Sequence, residues 1–271
     1  MALDSRPNVE GECPVFSCLF QVQYLHWRAA EPVDILKTMK GYGQFCPIAK
    51  AAEIFAERWT PLVLRELLAG STHFNDLRRG VPLMSSSLLS QRLKRLETEG
   101  VIERCPSETG HGCEYHLTAA GRELEPLVST MGNWGARWVR SRLVADELDV
   151  GLLMWDMRRR VRPNQFPTWR VVVEFEFRGV VKGRRRWWLI SEGNEVDLCM
   201  TDPGYEVDLL ILTDLRTMTA VWTGDAKLEQ AVGSGQLEVH GSRQLRAKLG
   251  SWFGLSPFAA IDDQRVRVDT A

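Results

Sequence analysis

Ser85-Ser86-Ser87-Leu88-Leu89-Ser90-Gln91-Arg92-Leu93-Lys94-Arg95-Leu96-Glu97 is the stretch on which the reading of this chain turns. It opens with hydroxyls suited to a helix N-cap and then becomes amphipathic. At about 100° per residue, Leu88, Leu89, Leu93 and Leu96 gather on one stripe. Ser87, Ser90, Gln91 and Lys94 fall opposite, with Arg95 at the margin. Such a helix is either a solvated surface element or one that lies in a DNA major groove. In the second case Gln reads adenine edges, Arg and Lys read guanine, and Ser reaches bases or phosphates.

The flanking sequence decides between the two. Upstream, Pro47 to Glu57 reads as a helix with Pro near its first position and Ile48, Ala51, Ala52 and Phe55 on one face. A second helix begins near Trp59 and is expected to bury Trp59, Leu62, Val63, Leu67 and Leu68, with Gly70 ending it. Ser71 or Thr72 is placed to cap a third, with Phe74 and Leu77 inward and Arg78 and Arg79 outward. The turn Gly80-Val81-Pro82-Leu83-Met84 delivers the Ser-rich helix, and Gly100 stops it. Val101 to Cys105 and Cys113 to Leu117 alternate as strands around a loop at residues 108–112. Thr118 is expected to cap one long final helix. Helices ending in the Ser-rich one, then a hairpin, then a helix, is the order of a winged helix-turn-helix.

Cys46-Pro47, Arg58-Trp59-Thr60, Leu64 to Leu67, Phe74 to Arg78, Ser85, Leu88 to Leu93, Leu96-Glu97, Gly100, Glu114 to Thr118 and Gly121 stand at the spacing of HxlR-type transcriptional regulators. The chain resembles that family over about a hundred residues. The resemblance implies a homodimeric, sequence-specific DNA-binding regulator, often one that senses electrophiles or oxidants. The outward face of the Ser-rich helix and the basic residues around it give the expected DNA contacts as Arg78, Arg79, Ser85, Ser86, Ser87, Ser90, Gln91, Lys94, Arg95 and His111. Two departures stand out. Leu83 stands where the family often has Gly before the recognition helix, and the wing loop has only Arg104 and His111 nearby as basic groups.

Composition fits a two-domain protein of 271 residues. From Met39 to Leu143 there are 14 Lys/Arg against 11 Asp/Glu, and from Val144 onward 17 against 19. A mildly basic front half suits phosphate contacts, and the near-neutral back half needs another task. With no apolar run long enough for a membrane span and no signal-peptide pattern, a cytoplasmic location is expected. Residues 1–38 lack periodicity and form an extension. It is either a flexible arm or a stretch upstream of a working start at Met39. The first domain is expected at 39–142 and the second at 146–271.

The six cysteines, at 13, 18, 46, 105, 113 and 199, include no CxxC pair, and cytosolic disulfides are not expected. Cys46 is either a small buried hydrophobe or a redox sensor. It precedes a Pro-initiated helix whose dipole favours thiolate, and the family resemblance matches it to a sensing position used by some members. Cys105 and Cys113 flank the wing loop symmetrically, as if to face each other. With His111 and His116 they offer zinc-type ligands, but not at a usual zinc spacing, so no metal is expected. Leu124, Leu127, Val128, Met131, Trp134 and Trp138 recur at three and four. This stripe either packs on its own domain or forms a symmetric dimer contact with the first helix contributing, and the dimer is the reading adopted.

In the back half, a helix from Gly151 to Val161 precedes strands of alternating pattern. Val171, Val173, Phe175 and Phe177 alternate with charged residues, and Trp188 and Ile190 follow. Val196, Leu198 and Met200 come next, then Val207, Leu209 and Ile211. Helices are expected at Asp214 to Trp222, Asp225 to Val232 and Ser242 to Phe253, with a strand at Gln236 to Val239. The whole reads as an antiparallel meander covered by helices, an α+β layer. Thr213 to Asp225 with Gly235 to Gly241 resembles a domain of the sterol carrier protein 2 type. That resemblance implies an apolar tunnel, with Phe175, Phe177, Trp188, Leu198, Met218, Trp222 and Trp252 as lining candidates, unless the aromatic residues simply pack a closed core.

No nucleophile elbow, phosphate loop or metal motif points to an enzyme, and no cofactor is expected. A DNA-binding regulator with an effector domain, answering to duplex DNA, to its own second copy and to an apolar small molecule, accounts for both halves. The alternative is a hydrophobic-ligand carrier whose helical domain serves only to dimerise.

Overall fold

The computed structural model describes residues 41–107, 112–139 and 147–261. The extension at 1–38, the wing-loop residue His111 and residues 140–146 of the expected linker lie outside the described residues. The described residues from 44 to 261 belong to one compact unit.

Its front part begins with α1 (Pro47–Phe55), in which Pro47 occupies the first turn, where no N–H is needed. Next come α2 (Thr60–Leu68), α3 (Phe74–Gly80) and α4 (Ser86–Thr98). The Ser85 hydroxyl caps α4 by accepting from Leu88 N at 3.3 Å, as the hydroxyl-rich start predicts. β1 (Ile102–Pro106) and β2 (Cys113–Leu117) pair antiparallel. Val63, Leu64, Leu77, Leu89, Leu93 and Leu96 form the centre of one core, closed beneath the hairpin by Ile102 and Leu117.

Several expectations are corrected here. Neither Ser71 nor Thr72 caps α3, whose N-cap is His73. The Ser71 hydroxyl turns to Glu66 instead, and Thr72 O accepts from Tyr115 N of β2 at 2.8 Å. Leu62 is exposed, not buried. Thr118 does act as a cap, accepting from Gly121 N at 3.1 Å, but the helix it opens is only α5 (Ala119–Arg122). The chain restarts as α6 (Glu125–Trp138), because Pro126 has no N–H to continue the ladder back to Arg122.

The back part opens with α7 (Val150–Arg158), capped by the Asp149 carboxylate accepting from Leu152 N at 2.8 Å. Five strands follow: β3 (Val171–Arg178), β4 (Arg186–Glu192), β5 (Glu195–Cys199), β6 (Leu209–Asp214) and β7 (Leu237–Gly241). Between β6 and β7 lie α8 (Leu215–Thr223) and α9 (Leu228–Gly233), and after β7 come α10 (Arg243–Ala247) and α11 (Leu249–Trp252). The strand order is β5-β4-β3-β6-β7.

This is not the antiparallel meander that alternation suggests. β3 and β6 run parallel, with Phe175 opposite Ile211. Parallel neighbours need a crossover, and the chain makes it by leaving edge strand β5 and re-entering beyond β3. Val207 precedes β6 and does not belong to it. The expected final helix is two short ones interrupted at Lys248.

On β4 the inward face is the other one. Trp187 and Leu189 join the core, whereas Trp188 shares the opposite face with its cross-strand partner Glu174. Phe175, Phe177, Met218, Trp222 and Trp252 pack in one continuous cluster with Leu153, Met154 and Met157 of α7. The rings of Phe166 and Trp252 lie 4.8 Å apart. Leu198 is half-buried at the edge of this cluster, and Met200 is exposed.

Candidate nucleic-acid interface

α4 divides as its pattern requires. Leu89, Leu93 and Leu96 are buried, and Ser86, Ser87, Ser90, Gln91, Lys94 and Arg95 are all exposed. Three of these already have side-chain partners. Arg78 Nη1 of α3 donates to Ser86 Oγ at 3.4 Å, and Arg95 pairs with Glu99 at 3.0 Å one turn on. Ser87 Oγ lies 3.2 Å from the capping Ser85 Oγ. Arg92 is different. It is buried and pairs with Glu57, which fastens α4 to the end of α1 and takes this guanidinium out of the exposed row. Hydrogen bonding to Arg92 holds the Glu57 carboxyl below its ordinary value, against the opposing effect of burial.

The turn from α3 into α4 rests on a group that sequence reasoning missed. Glu66 on α2 is wholly buried, in line with Val63 and Leu67. Its Oε1 accepts from Arg65 Nε at 3.0 Å and Nη2 at 2.8 Å, and that same Nη2 donates to Gly80 O at 2.7 Å. From the back part, Trp155 Nε1 donates to Oε2 at 3.2 Å, and Arg159 reaches both oxygens, at 2.8 and 3.3 Å. A buried carboxylate persists only when its lone pairs are filled in this way. Gly80 is part of the arrangement, since a Cβ there would overlap the Glu66 carboxyl.

Arg159 also binds Asp156. Burial acts to lower the Arg159 guanidinium, but Glu66 and Asp156 outweigh it and hold it above its ordinary value. Burial pushes the Asp156 carboxyl up, opposed by Arg159 and Arg65. The signal available in the sequence was a carboxylate on the apolar face of α2. Beside the adjacent Arg65, its partners Trp155 and Arg159 stand 89 and 93 residues away, beyond the reach of any local pattern.

The wing is tied to the helix-turn-helix through Glu114. This carboxylate accepts from Ser107 at 2.8 Å and lies 3.1 Å from His116 and 3.8 Å from His73. The Ser107 hydrogen bond and the two imidazoles hold it below its ordinary value. Cys105 and Cys113 do not face each other, because Cys105 opposes Glu114 and Cys113 opposes Pro106. One residue of offset sends them to opposite faces.

On α6 the apolar stripe separates into two rows. Leu124 and Val128 pack against the front core, and Leu127, Met131, Trp134 and Trp138 are exposed, Trp134 by 59%. Phe45 and Ile48, at the start of α1, are exposed as well. Cys46 is half-buried at the N-cap of α1. The C-terminal segment meets α6 too, at Gly132, where an added Cβ would strike the Phe258 ring.

A helix-turn-helix with a two-stranded wing, a fourth helix with an exposed polar face and a last helix with an exposed apolar row defines a class, the helix-turn-helix transcriptional regulators. Residues 54–142 match the family described as HxlR-like helix-turn-helix. The chain is 38% identical over 98 residues to the uncharacterized HTH-type transcriptional regulator YvaP of Bacillus subtilis (strain 168), covering 35% of this chain and 91% of the relative. It is also 38% identical over 98 residues to the uncharacterized HTH-type transcriptional regulator sll1512 of Synechocystis, covering 36% and 73%.

Among solved structures, it is similar to the redox regulator HypR in its oxidized form, at 31% identity and a TM-score of 0.32, covering 33% of this chain and 94% of that one. It is similar also to the reduced form of the transcriptional regulator YodB from B. subtilis, at 30% identity and a TM-score of 0.31, covering 34% and 92%. The chain belongs to the HxlR-like helix-turn-helix family. These likenesses span about a third of it. Among the described residues no helix is long and apolar enough to cross a membrane.

Proposed function

We propose that this protein is a homodimeric regulator that binds duplex DNA sequence-specifically through α4 and carries its back part as an effector domain of the sterol carrier protein 2 type. The observation that carries the reading is the division of α4. Its leucines are sunk in the core, while Ser87, Ser90, Gln91 and Lys94 stand in an unobstructed exposed row. Ser85, Ser86, Arg95, Arg78 and Arg79 flank that row within reach of phosphates. Dimerisation falls to the exposed row of α6, with Phe45 and Ile48 beside it in the assignment. Two copies related by a twofold axis then present two recognition helices to successive major grooves. The domain limits follow the same reading, 39–142 for DNA and 146–271 for the effector.

The test is a gel shift on the DNA upstream of the coding region. Replacing Ser87, Gln91, Lys94 and Arg95 together by alanine is expected to abolish the specific complex. A lost bidentate base contact from Gln91 alone costs about 1–3 kcal/mol and relaxes sequence preference. A folded quadruple variant that shifts the same DNA with unchanged affinity refutes the assignment.

Cys46 at the N-cap ahead of Pro47 supports a second layer of control by thiol oxidation. Peroxide is expected to change DNA affinity reversibly in the native chain and not in Cys46→Ser. The same response in both rules Cys46 out.

A further inference from the structure

Between the helix-turn-helix and the back part runs a cleft of about 610 Å³, within the range of small-molecule sites. One wall is α3 and the following turn, with Arg78, Arg79 and Pro82. The other holds Trp155, Arg184, Trp187 and the apolar pair Leu198 and Met200. Among the lining residues three guanidiniums face one carboxylate, Asp149, and that carboxylate is already the N-cap of α7. Arg184 reaches it only loosely, at 3.6 Å, and its side chain is 66% exposed. Arg79 lies over the Trp155 ring at 5.1 Å, and the indole N–H beneath is committed to Glu66. Arg79 also pairs with Asp76 at 3.0 Å, whereas Arg78 meets only the Ser86 hydroxyl among the described residues, so the rim keeps one guanidinium without a carboxylate above a flat apolar surface.

We propose that this cleft binds a small aryl carboxylate. The acid group bridges Arg184 on one wall to Arg78 and Arg79 on the other, and the ring lies against Trp187, Leu198 and Met200. Guanidinium forks suit a carboxylate bidentately, and the apolar floor selects acids with a ring. The proposal rests on the DNA-binding reading in one respect. Arg78 and Arg79 are also phosphate contacts there, and one guanidinium cannot serve a bound acid and a phosphate together. The acid thus favours the DNA-free form, and by linkage DNA expels the acid. Sensing is located at the junction of the two parts, not in a tunnel under the sheet, where Phe175 and Phe177 are fully buried in the core.

The experiment is calorimetric titration of the full chain with benzoate, 1-naphthoate and indole-3-acetate, with 1-naphthamide as an uncharged twin. At least one acid is expected to bind once per chain, and the naphthoate at least tenfold more tightly than the amide. Arg184→Gln is expected to weaken acid binding at least tenfold while the thermal midpoint stays within a few degrees. In DNA titrations the saturating acid is expected to lower affinity at least fivefold. The slope of log affinity against log salt should fall by about one to two, as one or two phosphate contacts are withdrawn. In Arg184→Gln the ratio of affinities with and without acid is expected to return to one. The proposal is overturned if none of the three acids binds, if acid and amide bind alike, if Arg184→Gln binds as tightly as the native chain, or if the acid binds without changing DNA affinity. A chain that binds no DNA refutes the regulatory reading, while the calorimetry still judges the cleft by itself.

Discussion

Glu66→Gln keeps the shape of the buried side chain and removes its charge. In the native arrangement two guanidiniums, from Arg65 and Arg159, converge on this carboxylate, and the Trp155 indole donates a further hydrogen bond. Removing one partner of a buried ion pair costs about 3–5 kcal/mol, because the remaining charge is left without a counterpart. Two features place this case at the lower end. Arg159 retains Asp156, and the Arg65 side chain is 33% exposed and therefore partly hydrated. The expected loss is about 3 kcal/mol, which at a denaturant slope of about 2–3 kcal/mol/M lowers the urea midpoint by about 1 M.

The pairing itself is tested by a double-mutant cycle with Arg159→Met. Both variants break the same contact, so the second adds little once the first is present, and a coupling of about 1–3 kcal/mol is expected. Urea unfolding followed by tryptophan fluorescence reads both quantities, since Trp155 lies at the junction. A Glu66→Gln midpoint within about 0.2 M of the native one, or strict additivity in the cycle, refutes the conclusion that this carboxylate joins the two parts.

Three further outcomes are expected. Gly80→Ala forces Glu66 away from its donors and is expected to destabilise by about 2 kcal/mol or more, but to be nearly neutral in a Glu66→Ala background, which leaves room for the methyl group; equal costs in both backgrounds contradict the packing argument. Asp214 caps α8 by accepting from Thr217 N and Oγ1, at 2.9 and 2.6 Å. Burial raises its carboxyl, but these Thr217 hydrogen bonds outweigh it, and the net position is below the ordinary value. A depressed folded value means the contribution is complete at neutral pH and is lost as pH falls below about 4. Asp214→Ala is therefore expected to cost about 1 kcal/mol at pH 7 and distinctly less at pH 3 in urea titrations, and a pH-independent cost contradicts it. Finally, Trp134→Glu with Trp138→Glu places charge on the exposed row of α6 and is expected to halve the mass of the proposed dimer in sedimentation; an unchanged mass contradicts an interface on this row.

What the sequence alone determined is what lies within a few residues of itself. A 3.6-residue period marked Leu89, Leu93 and Leu96 as one inward row and left Gln91 and Lys94 outward, and a run of hydroxyls marked a capped helix start, which in the structure is Ser85. Those features depend on local backbone geometry, which adjacent residues set. The tertiary structure decided the pairing of elements far apart in the chain. Alternation along Leu209 and Ile211 is the same whether β6 runs parallel or antiparallel to β3, so the direction followed from the crossover and not from the pattern. On β4, Trp187 and Trp188 are equally apolar, and only the register against β3 determines which one enters the core. Glu66 is the clearest instance. A carboxylate by itself belongs at the surface, because desolvating its charge is costly. It is buried here because Arg159 and Trp155, about ninety residues further along the chain, join Arg65 in filling its lone pairs.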